Sequence, residues 1–237
     1  MAWMFGNTHT SRQPTPTHCN IPDNELSETE LKLIEQRMHS SEFSSERFLK
    51  GQERLANVIQ TDSDYLKSVS ITHQQISDTM GNIVGQCKQF YRDNWLVLYD
   101  PPLMVDKTYI VSMVSYMGAQ ECPYKNDAVD PTYHGEKYGD SDVTISNVVT
   151  KETITFNTLL IHLIGQHHFF ESPSCKHRLD PAAVIKYFDL KPGSEPVKTH
   201  TVSILGDILP TEYIRMKRLE DFARHNLIYR STFTLSK

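Results

Sequence analysis

The sequence predicts an α+β fold: an N-terminal helical unit, then a mixed unit with a small antiparallel sheet and a ββα-like segment. Three observations predict it. Residues 25–92 carry apolar side chains at three- and four-residue intervals, the period of helices with one buried face. From Trp95 onward the period changes to short β-branched and aromatic runs divided by turn residues. A hairpin pattern over 143–156 then runs straight into an apolar helix, 159–164.

In chain order, residues 1–24 are rich in Thr, Pro, Asn and Ser and read as a mobile tail. Ser27 and Glu30 have capping-box spacing, so a helix is expected from there to about residue 40, with Leu31, Ile34 and Met38 on one face. A second helical pattern spans 54–69 through Leu55, Val58, Ile59, Leu66 and Val69. Asp62, Ser63 and Asp64 interrupt it, and a split into two helices is expected there. Thr72 and Gln75 form another capping-box pair. They open a stripe of Ile76, Met80, Ile83, Val84, Cys87 and Tyr91. Gly81 and Gly85 weaken that helix by about 1 kcal/mol each relative to Ala and invite a close helix neighbour.

The second unit, 93–237, is expected to hold strands at 95–99, 108–117, 143–149 and 153–156. Between them lies a long polar loop, 121–142, of a length that is usually functional or tied down. Asn157 or Thr158 caps the apolar helix. Asp180 and Pro181 open another over 182–190, stopped at Lys191-Pro192-Gly193. One more short strand is expected within 197–208, then an amphipathic helix over 210–225 and a β-prone tail. No flexible linker marks residue 93, so 25–237 also reads as one continuous domain.

The net charge of −5 argues against broad binding to nucleic acid or anionic membranes. No apolar run approaches the roughly 18 residues of a membrane span, and the N-terminus lacks the pattern of a secretory signal. Four scattered cysteines without a CxxC suit a reducing compartment, so a cytoplasmic location is expected.

The chemistry concentrates at 154–181, which holds four of the eleven histidines. His162 and His167 lie within the H-x(3–5)-H spacing of structural zinc sites. Cys122 precedes Pro123 after a strand, and His134 lies in the same loop. A zinc ion held by Cys122, His134, His162 and His167 would tie the loop to the helix, because thiolate and imidazole both suit Zn²⁺. The usual second cysteine, two to four residues after the first, is missing. Cys175 and His177 are rival ligands. With no metal, His162 becomes a hydrogen-bonded core histidine, while His167 and His168 favour the helix C-terminus as cations.

This pattern predicts a soluble intracellular binding or scaffold protein with a protein partner and a zinc-supported C-terminal module. Three alternatives use other chemistry. His162, His167 and Glu171 with an open position would make a metal-dependent hydrolase. Cys175, among Lys176, His177 and Arg178, has the positive setting that activates a thiol. Residues 71–92 resemble the start of a helix-turn-helix, against which stand the acidic balance and the lack of a clear turn after Gly81.

Overall fold

The computed structural model describes residues 27–39, 48–50, 52–94, 101–116, 120–124, 137–173, 175, 177–196 and 201–205. The architecture is α+β, with helices leading and an antiparallel sheet following. The expected strand at 95–99, helix at 210–225, both chain ends and His134 lie outside the described residues.

Helix α1 (Glu28–Met38) begins on the Ser27–Glu30 capping box, with both reciprocal bonds present. Helix α2 (Leu55–Ser68) is unbroken, so the expected split at 62–64 does not occur. The reason is tertiary. Asp62 is buried and accepts both guanidinium nitrogens of Arg178 at 2.6 Å, which removes its incentive to bond the local backbone.

Helix α3 (His73–Asp93) runs for 21 residues without a turn. The helix-turn-helix expectation for 71–92 therefore fails on geometry, since that motif needs two helices across a turn. Thr72 caps Gln75 N–H at 3.0 Å. The reciprocal half of the box is missing, because the Gln75 amide instead donates to the Lys191 and Ser194 carbonyls, 2.9 Å each.

The main sheet has the order β6-β5-β2-β1-β7, all neighbours antiparallel. Its strands are β1 (Leu103–Val105), β2 (Tyr109–Ser115), β5 (Ser141–Asn147), β6 (Thr153–Asn157) and β7 (Val202–Ile204). A separate ribbon pairs β3 (Gln120–Glu121) with β4 (Lys137–Tyr138). Strand β1 starts directly after Pro102, in a stretch for which no strand was expected. It turns into β2 through Asp106 and Lys107, both at positive φ (49° and 56°), and Thr108 N–H closes the turn on Val105 O at 3.0 Å.

The strands alternate, as one buried face requires. Val111, Met113, Val143 and Ile145 point inward, while Thr144 and Thr155 share a hydroxyl contact of 3.1 Å on the other face. Helix α4 (Thr158–His167) follows β6 without a linking residue: Asn157 ends the strand and caps the helix, accepting Leu159 N–H at 2.9 Å. Helix α5 (Pro181–Phe188) starts on Asp180, and its Tyr187 hydroxyl donates to Ile145 O at 2.7 Å.

Helices α3 and α4 pack closely. Ser77 Oγ donates to Ile161 O at 2.9 Å, and a Cβ on Gly165 would lie 2.5 Å from Ser77 Oγ. The tight glycine is thus Gly165. Gly81 meets Ile161 at an ordinary 3.6 Å, and Gly85 faces open space. Apolar residues from helices and sheet join in one buried cluster, from Ile34 and Met38 to Tyr187 and Phe188.

Candidate metal centre

Cys122 enters the centre from the end of β3. Arg37 of α1 donates to Pro123 O at 3.2 Å and holds the following turn. The β3–β4 ribbon pairs Glu121 with Lys137 and so fixes the strand end from which Cys122 follows. His162 and His167 come from α4. Five residues apart on a helix they differ by about 140° in direction, so both rings must bend toward the shared point.

They reach it. One donor atom each from Cys122, His162 and His167 lies within 4.8 Å of the others. Cys122 Sγ and His167 Nε2 are 3.4 Å apart. A tetrahedral zinc with ordinary Zn–S and Zn–N lengths sets an S···N edge of about 3.6 Å, so this pair is already near ligand spacing. The His162 and His167 rings stand edge-on, with centroids 5.1 Å apart at 75°. The Tyr124 ring lies flat on His167, at 3.7 Å and 6°. Cys122 and His167 are 0% and 1% exposed, and His162 9%. This buried group could hold a metal ion.

The other candidate residues go elsewhere. Glu171 is not part of the group. It is buried beside Cys175, with its carbonyl accepting Arg178 Nη1 at 2.6 Å. The hydrolase set His162, His167 and Glu171 is thus not assembled. Cys175 and His177 are also outside the group. The Cys175 thiol is pushed up, first by burial and then by the Glu171 carboxylate; two hydrogen bonds from Ser172 oppose the shift, and Glu53 adds a smaller upward push. That is the reverse of the activating setting expected; the Arg178 guanidinium is paired with Asp62 instead.

His168 caps α4 in the left-handed conformation (φ 58°), and its ring stacks on His73 at 4.2 Å. Burial lowers the pKa of His168. The expected gain from a positive charge at this helix end is therefore opposed by desolvation.

A groove of about 400 Å³ runs between α3 and α4. Gly81, Gly85, Lys88, Asp140, His162 and Gln166 are among its walls. Lys88 Nζ bonds both Asp140 oxygens, at 2.7 and 3.0 Å. Partial burial raises the pKa of Asp140, but Lys88, Thr158 and Ser141 together outweigh it, and the net shift is downward. Nothing in the sequence marked this groove: its helical glycines read as weak points in α3 and as places for a close helix neighbour, not as the wall of a cavity.

Among the described residues no helix is long and apolar enough to cross a membrane. Comparison with family models, with curated proteins and with solved structures gave no match.

Proposed function

We propose that this chain is a soluble intracellular binding or scaffold protein in which zinc on Cys122, His162 and His167 ties the segment after β3 to α4 and so supports a contact surface for a protein partner. The observation that carries the reading is the meeting of three soft or borderline donors in a buried place, from segments 40 residues apart at the nearest (122 to 162). Cysteine and histidine at this spacing favour Zn²⁺ over Mg²⁺ or Ca²⁺, which prefer oxygen ligands. Zinc would hold Cys122 as thiolate and both rings neutral, so binding releases protons and weakens in acid.

The linkage has a calculable size. A ligand held at a thousand times its Kd stabilises the folded state by about 4 kcal/mol. At about 2–4 °C per kcal/mol for a chain of this length, that is roughly 8–16 °C in Tm. Protein purified without added chelator should carry one zinc per chain, and excess chelator should lower Tm by that range. A metal-free protein whose Tm ignores both zinc and chelator would remove the reading.

A metal-dependent hydrolase is the second reading, favoured by one observation: the groove reaches His162. Three protein ligands leave a fourth position, as catalytic zinc requires. Cys122 replaces Glu171 in this version. Zinc-dependent turnover of activated esters or peptides, lost in Cys122→Ser, would support it. Its absence with zinc bound would leave the structural role.

A further inference from the structure

We propose that the metal enters and leaves through the groove between α3 and α4, with His162 as the ligand that meets solvent there, making this an exchangeable site for a hydrated divalent cation. The inference rests on the zinc reading above and goes further, since a structural zinc need not exchange at all.

The three ligands are not equally reachable. Cys122 and His167 are at most 1% exposed, and the Tyr124 ring covers one face of His167. Neither lines the groove, whereas His162 does. A cation arriving by this route meets the His162 ring first and the buried pair behind it second. For departure His162 would be the residue to release first, its place open to a water from the groove, while Cys122 and His167 hold on.

The groove is large enough. Six waters at about 30 Å³ each occupy roughly 180 Å³, less than half of the cavity volume of about 400 Å³. Its α3 wall carries Gly81 and the exposed Gly85, and a Cβ at Gly85 would meet nothing within 4 Å. Among the described residues that line it, Lys88 and Asp140 form a close charge pair. The ammonium repels a cation and occupies the carboxylate that would attract one. The pair therefore sets an electrostatic threshold on the route.

Equilibrium affinity and exchange rate should accordingly separate. The three donors set the first, and the groove sets the second. The test uses the full chain loaded with zinc and a chromogenic chelator in excess, followed by stopped flow. Gly85→Leu places a side chain in open space and plugs the route. It should hold one zinc with a Tm equal to wild type or about 2–4 °C higher, from the better helix propensity, yet release it about tenfold or more slowly. Lys88→Met keeps the length and removes the charge. It should take up zinc several-fold faster at low salt, with the advantage shrinking as salt screens Asp140. Wild-type release from a folded, zinc-bound Gly85→Leu protein, or wild-type uptake by Lys88→Met, would overturn the route while leaving the zinc reading intact. Wild-type protein that binds no zinc would overturn both.

Discussion

Replacing Arg178 with Met should cost about 3–5 kcal/mol, because it leaves the buried Asp62 carboxylate without its countercharge. The side chains are 12% and 6% exposed, and two parallel bonds of 2.6 Å join them. Arg178 also donates to Glu171 O at 2.6 Å, so a backbone acceptor loses a donor worth about 1 kcal/mol more. Against a total stability of roughly 5–15 kcal/mol, that is a large share. The pair itself is a different quantity from the damage of breaking it. Desolvating two charges offsets most of their attraction, so Asp62→Leu with Arg178→Met should return to within about 1–2 kcal/mol of wild type. Urea unfolding, followed by far-ultraviolet dichroism and tryptophan fluorescence, gives the four corners of the cycle. A coupling energy of about 3 kcal/mol or more is expected. A single substitution costing under about 1 kcal/mol, or a double mutant as damaged as the sum of both, would refute the reasoning.

Other outcomes follow from the same packing. His73, pushed down to about 4 by burial and by the His168 and Lys67 charges, should make stability fall in acid. Its unfolded pKa near 6.5 lies above the folded one, so the contribution is complete above pH 6.5 and lost as pH falls toward 4. After a discount for solvent screening, the loss is about 1–2 kcal/mol, and His73→Gln should flatten that part of the urea-midpoint profile. Gly165→Ala should destabilise by about 1–2 kcal/mol despite its better helix propensity, since the new Cβ meets Ser77 at 2.5 Å; a higher Tm would refute the close approach. Cys87, buried and pushed up to about 12, should resist thiol reagents in the native state while half-buried Cys175 reacts first of the two, read by mass after partial labelling.

What could be read from the sequence was what local chemistry decides. The Ser27–Glu30 box, the alternation along β2 and β5, and the Asn157 cap each depend on residues a few positions apart, and all appear. The expectations that failed depended on distant partners. Asp62 interrupts a helix by propensity, yet it sits inside one because Arg178, 116 positions later, satisfies it. Gln75 left its capping role for carbonyls beyond α5. Asp106 and Lys107 make a hairpin turn without the Asn-Gly or Asp-Gly signal that positive φ at both positions normally needs.

At the centre, the histidine spacing on α4 pointed to the right helix, but spacing alone could not choose among Cys122, Glu171 and Cys175. The fold groups Cys122 with the two histidines through the β3–β4 ribbon and leaves Glu171 and Cys175 outside that group. The Tyr124 stack and the groove arise from surfaces that exist only once α3, α4 and the 122–124 turn have met.

The direct passage of β6 into α4 has a consequence for how such a centre tolerates insertion or deletion. With no slack at Asn157, the angular phase of the helix is inherited from the strand. One residue added there would rotate every later position by about 100° and carry both imidazoles away from the sulfur, although no ligand had been replaced. Length at this junction is as much a determinant of the chemistry as the identity of the donors.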